Sequence, residues 1–425
     1  MKLKPLQLAP QFQLSSWLSQ IQTPVGMLVI GRFLSEVGTG FTLFYAPIFF
    51  VNQVGLSATT VGIALTSTSL AGVVGRILGG SLADTREWGR RRTLLLATGI
   101  SAVGSLVLAT TSNFMTLVIG SAIVGLGIGF YWPASEAVVA DGSQMENRRE
   151  IFALTRVADN LGLAIGSVLA GLWIAIAGNY RGLFIIDAIS FMVFFAVIYL
   201  AINETSQPQI EQSQPTQPFG SWLAALSDRR LLIYVAVNIT FTTYISQLHS
   251  TLPIYFKNFI RAENNTIGLA ETTISALYAW HLILAVICQF PIARALKSFS
   301  HTLALTISAI LWAIGFGCVW MTAIAPHYHL VWVSLALTVF ALALVSYTPF
   351  AASLVTDLAP ETQRGVYFSI NSLCWALGHF VGSPLGGWAL DRSRIIADNF
   401  WFGFSLSVLI PIVILQYLNK ILSSE

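Results

Sequence analysis

The sequence predicts an all-α membrane protein: twelve transmembrane helices arranged as two pseudo-symmetric six-helix bundles. Three observations lead there, namely the composition, the spacing of the apolar runs and an internal repeat. The 425 residues are 55% apolar and 10% charged, with a mean hydropathy of +0.72, a balance that excludes a soluble globular domain of this length. Roughly 20 apolar residues cross the hydrocarbon core. The chain offers such runs near 25–51, 57–83, 92–111, 115–140, 150–177, 180–202, 229–256, 268–296, 301–323, 329–356, 365–388 and 397–420. The runs are continuous and lack the period-two alternation of barrel strands, so they read as helices.

Before the first run, residues 11–22 alternate apolar and polar side chains at near-helical spacing, which suits a helix lying flat in the interface. After the sixth comes Asn203-Glu-Thr-Ser-Gln-Pro-Gln-Ile-Glu-Gln-Ser-Gln-Pro-Thr-Gln-Pro218, which has almost nothing to bury and reads as a flexible linker. The expected organisation is therefore an N-terminal segment 1–24, a first bundle 25–202, a cytoplasmic linker 203–228, a second bundle 229–420 and a tail 421–425.

The halves repeat one another. An offset of 216 aligns Tyr131 with Tyr347, Pro133 with Pro349, Asp141 with Asp357, Arg148 with Arg364, Gly162 with Gly378 and Gly166 with Gly382. From 131 to 171, 12 of 41 positions are identical without a gap, which points to duplication. Near the start of each half, Pro47-Ile-Phe-Phe-Val-Asn52 matches Pro253-Ile-Tyr-Phe-Lys-Asn258 at a shorter offset. Each half has an even number of spans, so the repeat is parallel.

Charge is sorted by side. With a cytoplasmic N-terminus, the inside loops hold fourteen basic residues, Arg86, Arg90, Arg91 and Arg92 among them, against five outside. The positive-inside rule then places both termini in the cytoplasm. The first apolar run is too long for a signal peptide and lacks a cleavage site, so no cleavable leader is expected. The net charge of +3 is spread by membrane side and gives no nucleic-acid patch. Cys288, Cys318 and Cys374 are odd in number, lie within apolar runs and have no close spacing, which suggests neither disulfides nor a metal site. No phosphate-binding loop or nucleophile elbow appears, so no cofactor and no enzymatic activity are expected.

The densest charge in the first third is Gly80-Ser-Leu-Ala-Asp84-Thr-Arg-Glu-Trp-Gly89-Arg-Arg-Arg92. This stretch resembles the signature loop between spans two and three of the major facilitator superfamily, G-x-L-A-D-R-x-G-R-R, and the resemblance extends along nearly the full chain, towards the twelve-span bacterial drug and metabolite exporters. Gly80, Leu82, Ala83, Asp84, Gly89, Arg90 and Arg91 match, with two extra residues between Asp84 and Gly89. The resemblance implies a cytoplasmic clasp in which Asp84 caps a helix of the other half and Arg90 pairs with Asp141. The second half retains an eroded loop, with Arg294 placed to face Asp357. Gly162 and Gly166 in span five, and Gly378, Gly382 and Pro384 in span eleven, resemble the glycine-rich fifth span of family antiporters and mark close helix packing. Two features of the exporters are missing: Ser167 stands where a proline follows the second glycine, and Ser121 where span four carries an arginine.

Charge inside a membrane calls for a partner or a function, since it costs roughly 2.5–3.5 kcal/mol at the bilayer centre even on the lenient scale. Arg32 and Glu36 lie one turn apart in span one, a candidate substrate or proton site or else a self-neutralising pair. Glu136, Arg156 and Asp159 fall at similar depth on spans four and five and are expected to form a buried network, with Glu136 and Asp159 as candidate proton carriers. His249 is a further proton candidate. Tyr131, Trp132 and Tyr347 occupy spans that line the central cavity in family members and suit an aromatic or amphipathic substrate. Arg76 and Asp187 read as scaffold or interfacial residues.

Together these features predict a secondary transporter of the bacterial inner membrane. It exports a small, partly apolar molecule by alternating access, coupled to protons, as a monomer in the lipid bilayer. Uptake or facilitated diffusion of a sugar or organic acid is the alternative within the class, and a non-transporting receptor or assembly factor is the alternative outside it.

Overall fold

The computed structural model describes residues 24–83, 88–141, 148–202, 218–261, 267–360 and 364–423. The expected interfacial helix at 11–22 and the first part of the expected linker lie outside them. Every one of the twelve apolar runs is helical. Spans 1 to 6 are Pro24–Leu43 with Ala46–Asn52, Ala58–Ala83, Gly89–Ala109, Phe114–Asp141, Arg148–Ala177 and Arg181–Ala201. Spans 7 to 12 are Arg229–His249 with Thr251–Asn258, Glu271–Ala295, His301–Ile324, His329–Leu358, Arg364–Leu390, and Arg394–Ser407 with Leu409–Leu422. An additional helix, Pro218–Ser227, occupies the end of the segment expected to be linker. Its Leu223 and Leu226 supply apolar side chains that the Gln/Pro-rich stretch before it lacks.

Spans 1 and 7 break at matching places, just ahead of Pro47 and Pro253, and both continue as short helices. A proline clashes with the preceding turn and withdraws its own N–H, so each helix re-starts around it. Spans 4 and 10 each carry a proline inside the helix, Pro133 and Pro349. These paired irregularities are the repeat expressed in backbone geometry.

In the first half span 2 and span 3 pack on span 4, and span 1 packs on spans 5 and 6. In the second half span 7 packs on span 11, span 8 on span 10 and span 9 on spans 10 and 12. The halves meet through span 2 against span 11 and span 5 against span 8. Glycine sets the spacing at the tightest of these contacts. A Cβ on Gly162 would stand 2.6 Å from the Phe33 carbonyl oxygen, and one on Gly40 2.9 Å from the Gly166 Cα, so spans 1 and 5 touch backbone to backbone. Gly378 and Gly382 do the same for span 11 against Thr242 and Gln247 of span 7, while Gly62 of span 2 sits against Ser383 and Pro384 of span 11. Without a hydrophobic driving force between helices in lipid, such close packing is a main source of association.

We call the side on which span 1 begins and span 12 ends the near face, and the opposite side the far face. The outer surface is apolar, with Ile176, Leu200 and Ile77 strongly exposed as a lipid-facing belt requires.

The span 1 to span 5 contact yields a first prediction. Gly166→Val inserts atoms where Val37 and Gly40 already touch, and should cost about 1–3 kcal/mol. Thermal unfolding in detergent measures it; an unchanged melting temperature would reject the packing described.

Candidate functional site

One group of charges in the first half lies on spans 1, 4 and 5. Arg32 is 2% exposed and Asp159 7%. The guanidinium Nε of Arg32 donates to Asp159 Oδ1 at 2.9 Å, its Nη2 engages the second carboxylate oxygen, and its Nη1 donates to Ser135 Oγ at 2.8 Å. This bidentate fork is the strongest geometry available to such a pair. The rings of Tyr131 and Trp132 flank it, 5.6 and 5.2 Å from the Arg32 guanidinium carbon. On its other side Trp132 meets Arg156 at 4.9 Å, and Arg156 Nη2 reaches Glu136 Oε1 at 3.4 Å. Arg156 and Glu136 are both about half exposed.

The expected buried network of Glu136, Arg156 and Asp159 does not form as such: Asp159 turns to Arg32, and the Arg156–Glu136 pair is half exposed. Arg32 takes Asp159 of span 5 rather than Glu36 of its own helix, because a bidentate carboxylate across the helix contact satisfies the fork better than an (i, i+4) partner. Glu36, partly buried, has no hydrogen-bond partner among the described residues. Its Cβ lies against the bare face of Gly162.

A cavity of about 380 Å³ opens between the halves, within the range of small-molecule sites. Spans 1, 2, 3, 4 and 6 line it from the first half, and spans 7 and 11 from the second. Its walls include Phe50, Phe184 and Trp375, and its polar groups include Arg76, Asp187, His249 and His379. His249 and His379 are stacked nearly parallel, with centroids 6.2 Å apart. Of the sequence candidates, only His249 lines this cavity. Tyr347 is 2% exposed, stacks on Phe241 at 4.9 Å and bonds Asn238, so it is a core residue of the second bundle. Tyr131 and Trp132 serve the Arg32 cluster instead.

Asp187 and Arg76, which the sequence reads as scaffold or interfacial residues, both line the cavity. Asp187 is 6% exposed; Ser105 Oγ donates to its Oδ2 at 2.7 Å, and its Oδ1 has no hydrogen-bond partner among the described residues. Arg76 engages Ser372 of span 11. The signal was present in the rule that an intramembrane charge is functional by default. What was missing is the face that each helix turns inward.

Apart from Arg76 with Ser372, the hydrogen bonds between the halves, among the described residues, lie toward the far face. Asp391, after span 11, accepts from the backbone N–H groups of Ala58 at 2.9 Å and Thr59 at 2.7 Å, capping span 2. Asn52 and Asn258 exchange reciprocal amide bonds, both 2.8 Å, joining the positions paired by the repeat. Glu271 accepts from Lys257 Nζ at 2.6 Å and Tyr180 OH at 2.9 Å, and Tyr45 OH donates to its carbonyl oxygen at 2.6 Å. Burial and this carboxylate push the Tyr180 phenol upward, so it remains a donor. Phe44 and Tyr278 stack across the same joint at 3.9 Å.

Only part of the expected near-face clasp falls within the described residues. Asp84 lies outside the described residues, as does the side chain of Asp141. Gly89 has φ +74°, a conformation glycine adopts without strain, and it starts span 3. Gly80 approaches Pro133 of span 4. Arg90 donates to the Ala137 carbonyl at 3.1 Å, one turn before Asp141, and Arg91 to the Tyr199 carbonyl at 2.7 Å. In the second half Asp357 pairs with His301 at 3.3 Å; no ion pair joins it to Arg294 among the described residues. His301 opens the next helix, which brings its ring closer to the end of span 10.

Two helical bundles meeting around a cavity within an apolar belt define a membrane transporter. The chain matches the Major Facilitator Superfamily over residues 28–262 and 259–420, and it belongs to that family. It is 25% identical over 373 residues to the uncharacterised MFS-type transporter YttB of Bacillus subtilis, covering 87% of this chain and 89% of that one. A Na(+), Li(+), K(+)/H(+) antiporter of Planococcus maritimus is 24% identical over 408 residues, covering 90% and 91%. Multidrug resistance protein MdtH of Aeromonas hydrophila is 25% identical over 359 residues, covering 83% of each. Among solved structures, the nucleoside transporter NupG superposes with a TM-score of 0.76 at 13% identity, covering 93% of this chain and 99% of that one. An auto-inhibited POT family peptide transporter does so at 0.74 and 15%, covering 93% and 96%. The protein is thus a multi-pass transporter of a small molecule, not an enzyme, and its relatives are bacterial.

The buried fork makes a second prediction. Asp159→Asn leaves the Arg32 charge uncompensated and should cost about 3–5 kcal/mol, whereas the double change Arg32→Met with Asp159→Leu should recover most of it. Scanning fluorimetry of the three proteins decides. A double variant as unstable as the sum of its parts would contradict the pairing.

Proposed function

We propose that the protein is a proton-coupled exporter of a small, partly apolar molecule, working as a monomer in the bacterial inner membrane with the near face toward the cytoplasm. The observation that carries the reading is the cavity between the halves, walled by aromatic rings, in a half that also holds a buried charge cluster where Glu36 has no hydrogen-bond partner among the described residues. The aromatic and aliphatic walls suit an apolar body. Glu36 lies within the electrostatic reach of Arg32, Asp159 and Asp187, so a proton gained or lost there changes the balance of the whole cluster.

The excess of basic residues on the near face supports its cytoplasmic placement. With the joints made by Glu271, Asp391 and the Asn52–Asn258 pair on the far face, this conformer is closed outside. Export then requires those joints to release as the near face closes, with Asp84, Arg90 and Arg91 forming the cytoplasmic clasp. One proton moving through 100 mV supplies about 2.3 kcal/mol, enough for roughly fortyfold accumulation. The relatives named as an antiporter and a multidrug resistance protein point the same way.

Proteoliposomes carrying a pH gradient of either sign test this reading. Substrate flux should run opposite to the proton gradient, and Glu36→Gln should reduce gradient-driven flux at least tenfold while exchange of substrate for substrate continues. Flux in the same sense as protons would indicate uptake instead, and indifference to pH a facilitator. Asp84→Asn should stop net transport in a protein that still folds; normal transport by that variant would remove the clasp.

A further inference from the structure

Asp187 is a carboxylate in the wrong place for a scaffold residue. It sits on span 6, which packs against spans 1 and 3. Its one hydrogen bond comes from Ser105 of span 3, a neutral hydroxyl, and Oδ1 has no donor among the described residues. Among the described residues no Arg or Lys pairs with it, although the buried Asp159 of the same half has a guanidinium. A buried carboxylate with one neutral donor is left with unmet demand for positive charge. It lies on the wall of a cavity lined by both bundles, so a ligand in that space can meet the demand.

We infer that the central cavity is an organic-cation site in which Asp187 binds an ammonium group and Phe50, Phe184 and Trp375 surround its apolar body. The inference deepens the transport reading above, on which it rests for the cavity being the substrate site. The other charged and titratable groups facing the space agree with it. Glu36 of span 1 does not line the space but lies within electrostatic reach of Asp187 and adds negative potential. Arg76 of span 2 is turned to Ser372 and has Glu136 as its electrostatic neighbour, so its charge is met away from Asp187. His249 and His379 form a stacked pair on the opposite wall and offer ring nitrogens to a polar substituent. Aromatic faces attract cations through their quadrupoles, an effect that strengthens when water is excluded. They also admit an organic body, and among the described residues no group of three or more His, Cys, Asp or Glu side chains gathers to hold a metal ion.

The test uses the purified full-length protein in lipid nanodiscs, with benzyltrimethylammonium as the permanently charged probe and neopentylbenzene, its neutral isostere, as the control. Calorimetric titration should show the cation binding at least tenfold more tightly than the isostere. Asp187→Asn should weaken the cation at least tenfold, with the melting temperature of the unliganded protein unchanged, and Asp187→Glu should retain it within about threefold. Equal binding of cation and isostere to the wild-type protein overturns the inference without recourse to any variant. So does wild-type affinity in Asp187→Asn, or binding of sodium ions with none of the organic cation. Because no gradient is applied, failure here leaves proton coupling standing, and a protein that binds the cation but ignores a pH gradient loses only the coupling.

Discussion

A guanidinium buried between helices cannot be left to itself, and the first half is arranged around that constraint. Arg32 draws a carboxylate from span 5, a hydroxyl from span 4 and two aromatic rings into one cluster. This requires span 1 and span 5 to approach until their backbones touch, which is what Gly40, Gly162 and Gly166 permit. Packing and electrostatics therefore depend on the same contact. Trp132 then couples this cluster to the more exposed Arg156–Glu136 pair, placing a graded run of charge along the near-face side of the bundle.

The two halves share a backbone plan and differ in chemistry. Breaks ahead of Pro47 and Pro253, prolines inside spans 4 and 10, and glycine contacts of span 5 on 1 and of span 11 on 7 all repeat. In the second half, however, the position of Asp159 is taken by Trp375, which faces the cavity. The interior there is built on hydroxyls, amides and aromatic stacking, such as Tyr234 with Asn371 and Phe316 with Trp401. Among the described residues the buried Arg–carboxylate pair thus belongs to the first bundle, while the second lines the cavity with histidine, tryptophan and serine.

The far-face joint has its own logic. Asp391 caps a helix of the opposite half, Asn52 and Asn258 bond across the pseudo-twofold axis, and Glu271 gathers a lysine and a tyrosine. Each is a hydrogen-bonded contact in a partly solvated setting, where water can replace the partner at modest cost. Such contacts can close one side of a transporter and still let go. The backbone contact of Gly387 with Ala58 brings spans 11 and 2 together at the same place.

Much of this was legible in the chain alone. Bilayer thickness and the ban on unpaired backbone groups in lipid convert twelve apolar runs into twelve helices, and the offset-216 repeat sets the division into halves. The glycines of spans 5 and 11 announced close contacts because small residues four apart have few other uses in a membrane. The sequence could not choose partners. Arg32 was one turn from Glu36 and distant in sequence from Asp159, and only the rotation of spans 1 and 5 about their axes decided between them. The same rotation turned Tyr347 into the core and Asp187 toward the cavity, since in an all-round apolar helix hydropathy carries no record of which face looks inward. What the sequence determined, then, was the number, order and kinship of the helices; what the tertiary structure decided was which of their few charges meet one another and which are left facing the cavity.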